Sequence, residues 1–210
     1  MTIKKINIMK TKAFTLIAIA ALAFGTVNFT NAATVKINKE VSTTLTSVSK
    51  INNIEVRGNV EVFVSDGSAD AVKVYNRYYA ENAVVQNVNG TLRISSYNAQ
   101  KLVVWVTAKD LRGITAYDNS VVKSFGKLAE IGLDVALYDN SSAQLDLDAY
   151  TANINVNDHA RADLTGKVSE CDLKYTNITT VNQSQLAAEH LTKTVKVIKA
   201  RTQADEIAEL

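Results

Sequence analysis

Tyr117-Asp118-Asn119-Ser120 returns unchanged as Tyr138-Asp139-Asn140-Ser141, and an altered third copy stands at Asn157-Asp158-His159-Ala160. These residue types could do two kinds of chemistry. If each copy adds one strand to a sheet, the carboxylates of Asp118, Asp139 and Asp158 stack about 4.8 Å apart. Stacked carboxylates repel, and an oxygen-ligated cation such as calcium would relieve the repulsion. The alternative is that each Asp accepts hydrogen bonds from its own turn and stays solvated. That is the expectation here, because no calcium-loop spacing is present. Tyr117 and Tyr138, continued by Asn157 and Thr176, should point away from the core. Such a row of rings and amides could stack on sugar rings and hydrogen-bond their hydroxyls, or could simply stabilise the sheet through cross-strand pairs.

Asp146 and Asp148 suggest a third chemistry, the paired carboxylates of a glycosidase or lyase. At alternate positions on an exposed strand, however, such acids usually serve as solubilising charges. His159, His190 and Cys171 have no zinc-ligand spacing, and Cys171 lies between acidic neighbours that disfavour a thiolate. No nucleophile elbow, phosphate loop or dinucleotide fingerprint occurs. The expected binding residues are therefore the outward ladder Tyr117, Asp118, Asn119, Tyr138, Asp139, Asn140, Asn157 and Asp158. No catalytic residue, metal or cofactor is expected.

The elements that would position this ladder follow from its period. With Asp118, Asp139, Asp158 and Asn177 as anchors, the copies recur every ~20 residues. Four and two residues before each anchor stand Ile114/Ala116, Val135/Leu137, Ile154/Val156 and Leu173/Tyr175. Val122, Ala143, Ala162 and Val181 follow four residues after. Alternation of period two running into and out of a bend describes two strands flanking a turn. A repeat of ~20 residues in which each copy buries its apolar face against the next is the signature of a β-solenoid. Asn119, Asn140 and His159 are expected to supply the left-handed backbone of the bend, whereas Ile178 cannot do so cheaply, so the fourth turn should differ. The earlier half shares the frame more loosely, with Ile54 and Val56 before Gly58 and Val62 and Val64 after it. Asn89-Gly90, between Val85–Val88 and Thr91–Ile94, marks a hairpin. The apolar run Leu102 to Val106, with Trp105 inside it, reads as a strand covered on both faces.

Residues 1–32 have a lysine-rich start, an apolar run from Phe14 to Phe24 and a small-residue end, the three parts of a secretory signal peptide with cleavage after Ala32. The run is short for a membrane-spanning helix. Removing its four lysines and no acid from 23 basic and 21 acidic residues leaves 19 against 21, a net charge of −2. Such a chain has no net attraction for phosphate, so no nucleic-acid partner is expected. One cysteine allows no internal disulfide. The absence of proline, together with abundant Val, Thr and Asn, suits short strands and tight turns.

Taken in order, Ile54-Glu55-Val56-Arg57-Gly58-Asn59-Val60-Glu61-Val62, Gly90-Thr91-Leu92-Arg93-Ile94 and Leu111 to Ile114 running into the repeats resemble the auto-transporter adhesin head GIN domain family of bacteria, over about Ile51 to Val197. Family members usually carry Ser-Gly-Ala/Ser at each turn, where this chain has Asp-Asn-Ser or Asp-His-Ala. The resemblance implies an exported, right-handed parallel β-solenoid-like domain and supplies no catalytic residues. The expected organisation is a signal peptide at 1–32, an extended lead-in at 33–50, the all-β solenoid domain at 51–199 and a tail at 200–210. The expected function is non-enzymatic, as an envelope or secreted adhesion, interaction or structural protein. The alternative is a carbohydrate-active enzyme or sugar-binding module using the outward face. Expected partners are envelope or host glycans or surface proteins, with self-association through exposed strand edges as a further expectation. After cleavage the protein should not be integral to the membrane.

Overall fold

The computed structural model describes residues 42–45, 50–75 and 83–198. The expected signal peptide and its cleavage site, most of the lead-in and the tail lie outside the described residues, and the first of the chain's two compact units, Met1–Lys39, lies there entirely. What is described is all-β, a single mixed sheet with no helix among the described residues. The strands that build the core alternate buried and outward residues. With no helix or second sheet to cover the buried side, the sheet must curl so that its own strands enclose the apolar face.

The strands are β1 (Ser42–Leu45), β2 (Asn53–Gly58), β3 (Val60–Asp66), β4 (Ala71–Tyr75), β5 (Ala83–Val88), β6 (Thr91–Ser96), β7 (Leu102–Ala108), β8 (Gly113–Ala116), β9 (Val121–Ser124), β10 (Leu128–Leu137), β11 (Ser142–Val156), β12 (Arg161–Thr176) and β13 (Thr180–Lys196). The long strands β10 to β13 each take part in more than one run of pairing. One run passes from β6 through β2 and β8 to the second halves of β10, β11, β12 and β13, parallel throughout. A second passes from β7 through β3 and β9 to the first halves of β11, β12 and β13. A third joins Leu128, Leu147, Gly166 and Leu186. Among the described residues antiparallel pairing occurs only in the earlier half, where β5 pairs β6, and β4 pairs both β7 and β1. Asn89 and Gly90, both at positive φ, join β5 to β6 in the sign pattern of a type I′ hairpin turn.

The register explains the core. Leu92, Ile54, Ile114, Val135, Ile154 and Leu173 lie side by side on successive strands, and each is essentially fully buried. From Ile114 onward, each partner is the residue one sequence repeat further along the chain. The earlier half enters the same rows, with Ile54 beside Ile114 and Val62 beside Val122. The next partner after Leu173 is Lys193, on the last strand, and it is exposed. An inward-pointing charge on an edge strand is a common means of discouraging further strand pairing. Leu191 and Val195 flank it, and both are exposed.

β7 corrects one expectation. Its burial alternates strictly, so only Leu102, Val104, Val106 and Ala108 enter the core. Val103 and Trp105 lie on the outer face, half-buried by neighbouring side chains rather than by a second layer. The apolar run reflects an aromatic cluster on the outer face.

Two glycines allow a direct test of backbone constraint. Gly166 has φ +100, and a Cβ there would run into the Leu147 carbonyl oxygen; Gly126 has φ +82, with open space around its Cβ position. Gly126→Ala should therefore cost about 1–2 kcal/mol for the left-handed conformation alone. Gly166→Ala should cost clearly more, because the clash with Leu147 adds to that strain. Urea denaturation midpoints of the two variants check the ranking.

Candidate functional site

The repeated turn is built by its aspartates. Asp118, Asp139 and Asp158 have φ of 58, 57 and 53°, and Gly58 takes the same role at φ 79°. This corrects the expectation that Asn119, Asn140 and His159 hold the left-handed position: they follow it, at the exposed tip, without positive φ. Asp is among the few side chains that tolerate this region, since its short carboxylate can hydrogen-bond locally. Each turn closes with a backbone bond, from Ser120 N–H to the Tyr117 carbonyl at 3.2 Å, Ser141 to Tyr138 at 3.1 Å and Ala160 to Asn157 at 3.0 Å.

Each carboxylate reaches past its own turn to the one before. The Asp118 carboxylate accepts the Gly58 N–H at 2.9 Å, Asp139 accepts the Asp118 N–H at 3.0 Å, and Asp158 accepts the Asp139 N–H at 3.1 Å. Backbone bonds run in parallel, from Asn140 N–H to the Asp118 carbonyl and from His159 N–H to the Asp139 carbonyl. Charge-assisted bonds of this kind are the stronger class. They set a backbone donor against each stacked carboxylate. Among the described residues no cluster of three His, Cys, Asp or Glu could hold a metal ion.

Two serines complete the turn in a way their residue type alone did not reveal. Ser120 and Ser141 are fully buried. The Ser120 hydroxyl donates to the Tyr117 carbonyl at 2.7 Å, and the Ser141 hydroxyl donates across to the Ala116 carbonyl at 3.1 Å while accepting the Tyr138 N–H at 3.1 Å. The fourth turn has no positive φ at Asn177 or Ile178. There the Asn177 side chain bonds the backbone of Ile198, accepting its N–H at 2.8 Å and donating to its carbonyl at 3.3 Å.

The tyrosines form one stack. The Tyr117 and Tyr138 rings lie 5.0 Å apart and 9° from parallel, and the Arg57 guanidinium covers the other face of the row at 3.8 Å from the Tyr117 centroid. Arg57 is held there by Glu55 at 2.8 Å, which also raises its pKa. Both rings are half-buried. Their continuation does not follow the expected pattern: Asn157 turns its amide onto the Leu137 carbonyl at 3.3 Å, and Thr176 is buried. Tyr97, exposed, joins the group through its hydroxyl, which donates to Asp118 at 3.2 Å. The structure thus brings Tyr117, Asp118, Tyr138 and Asp139 together with Arg57 and Tyr97, and leaves Asn119, Asn140 and Asp158 as exposed groups along one edge.

Elsewhere the chemistry is sparse. Asp146 and Asp148 both point outward from β11, and Asp148 borders a shallow depression with Lys167 and Glu189. Cys171 is buried, which pushes its thiol pKa up. Among the described residues Glu130 is the one carboxyl strongly displaced upward, to about 7. Desolvation is the main cause, with Asp66 and Asp110 adding to it, against a hydrogen bond accepted from Leu111 N–H at 3.1 Å. No helix among the described residues is long and apolar enough to cross a membrane.

The family model for "Putative auto-transporter adhesin, head GIN domain" matches residues 50–197. Among solved structures the chain is similar to a "putative adhesin" from Bacteroides fragilis, at 14% identity over 75% of this chain and 77% of that one, with a TM-score of 0.67. A "putative adhesin" from Parabacteroides distasonis follows at 16% identity, 75% and 78% coverage and a TM-score of 0.54. A "putative lipid binding protein" from the same species has 9% identity, 74% and 78% coverage and a TM-score of 0.54. At these identities the likeness is one of fold. No curated protein matches the chain.

Two predictions arise from these contacts. Asp139→Ala should destabilise by about 2 kcal/mol, since it places a β-carbon residue without a compensating polar group at positive φ and orphans the Asp118 N–H. Asp139→Asn, which keeps an acceptor and the tolerance for positive φ, should recover most of that loss in urea denaturation. Because the native state raises the Glu130 pKa, it binds the proton more tightly than the unfolded chain does. Stability should therefore fall as pH rises from about 4.5 to about 7. Glu130→Gln should flatten this slope and be the more stable protein at pH 8, as read from melting temperatures across the range.

Proposed function

We propose that this chain, which belongs to the putative auto-transporter adhesin, head GIN domain family, is an exported, non-enzymatic display domain that works by offering its outward strand faces to a surface partner. The parallel offsets of ~20 residues support reading its sheet as a β-solenoid with one rung per offset, and the usual hand of parallel crossovers makes the right-handed form the one proposed. The observation that carries the functional reading is where the polar chemistry goes. The aspartates, serines and tyrosines of the repeated motif bond to backbone or to one another, so they maintain a surface and leave no poised acid–base pair. The secretory leader expected at residues 1–32 and a family of adhesin-like domains agree with a place in the periplasm, at the cell surface or outside the cell.

The protein should be retained by a component of the bacterial envelope or a host surface, with no turnover of that component. Pull-down against envelope fractions, glycan arrays and surface proteins, followed by product analysis of any bound glycan, tests this. Retention without cleavage is the expected outcome. Cleavage of a bound glycan that disappears in Asp146→Asn or Asp148→Asn would overturn the reading.

A further inference from the structure

The outer face of β4, β7, β3 and β9 carries a second aromatic group that the repeated motif does not include. Phe63 and Trp105 are register partners and stack at 4.8 Å, and Phe125 meets Trp105 edge-on at 5.0 Å. Phe125 is 62% exposed, beyond the end of β9. Val103 and Val121 extend the apolar surface beside Glu61.

Lysines surround this group. Lys101 immediately precedes β7 and Lys109 immediately follows it, both exposed, so they stand at the two ends of the strand that carries Val103, Trp105 and Thr107 on its outer face. Lys73 is the register partner of Trp105 on one side, and Lys123 that of Phe63 on the other. Lys127 follows Phe125 by two residues. Within the patch, Glu61 is paired with Lys123 at 2.8 Å. At the strand ends, Asp66 accepts the Ala129 N–H, and Asp70 accepts those of Ile51 and Lys109. Lys73, Lys101, Lys109 and Lys127 make no ion pair among the described residues. The face is therefore apolar at its centre, and around it five lysines, Lys73, Lys101, Lys109, Lys123 and Lys127, outnumber the three carboxylates Glu61, Asp66 and Asp70.

We propose that this face docks on an anionic lipid surface. Two features select lipid over an acidic polysaccharide. A sugar ring stacks on an open aromatic face, but the stacked Phe63 and Trp105 present each other with theirs, and the Lys123 ammonium lies 5.8 Å from the Phe63 centroid. What reaches outward is ring edge and the exposed Phe125, which suit the interfacial zone of a bilayer, where Trp and Phe settle while lysines meet anionic headgroups. This goes beyond the display reading and does not depend on it.

The test uses the protein and sedimented vesicles. Trp105 is the only tryptophan, so its emission reports on this face alone. Vesicles of phosphatidylcholine with added phosphatidylglycerol should carry the protein down and shift Trp105 emission to the blue; vesicles of phosphatidylcholine alone should do neither. Raising the salt should release the protein. Lys101→Gln with Lys109→Gln should weaken binding about 30-fold, and Phe125→Ala about tenfold, with melting temperatures near that of the wild type because these side chains are exposed. The proposal fails if anionic vesicles leave the protein in solution, or if binding ignores these substitutions. It also fails if an acidic polysaccharide binds with the same sensitivity while vesicles do not; in that case the display reading would still stand.

Discussion

An aspartate bonded to the backbone amide of the turn before it is the contact on which the rest of this sheet depends. A chain made only of strands must fold its sheet over its own apolar face, and that requires sharp corners at regular intervals. At one corner the backbone enters the left-handed region, which costs an ordinary residue about 1–2 kcal/mol. Glycine avoids the cost at Gly58; Asp118, Asp139 and Asp158 offset it with a hydrogen bond. The same bond fixes the register between successive turns, and the register places Ile114, Val135, Ile154 and Leu173 in one row. A one-residue slip would turn every such row outward. The carboxylate ladder and the apolar row are therefore two expressions of a single alignment.

That alignment also governs the outer surface. Parallel strands about 4.8 Å apart bring identical or similar side chains to stacking distance. Tyr117 and Tyr138 stack in this way, as do Phe63 and Trp105. Rings that stack with each other in a sheet offer edges to the surroundings, and cations take up positions over the outer faces, as Arg57 does over Tyr117. Recognition by such a surface favours charge, shape and apolar edge over face-to-face stacking.

Much of the core is legible in the residues because burial on a strand has period two and the repeat gives its own alignment. The anchors at Asp118, Asp139 and Asp158 and the apolar partners before and after them can be matched by counting alone. Counting misplaces the turn's left-handed residue by one, because Asp and Asn share the same tolerance and only the carboxylate's reach to the preceding turn separates them. Ser120 and Ser141 are silent because a buried serine and a surface serine look alike until their partners are known. The Phe63, Trp105 and Phe125 group is hidden for a different reason. β7 sits beside β3, and β3 beside β9, so spatial neighbours come from well-separated parts of the chain in an order that periodicity does not encode. Glu130 likewise owes part of its raised pKa to Asp66 and Asp110, which are remote in the sequence.

Lys193 ends the row that begins at Leu92. Ile54, Ile114, Val135 and Ile154 each have an apolar neighbour on both sides, so a further segment of one repeat length could be spliced between two of them and find matching surfaces above and below. Beyond Leu173 the same segment would meet an ammonium group where it needs a hydrocarbon. A segment of one repeat length is therefore accommodated within the row but not between Leu173 and Lys193.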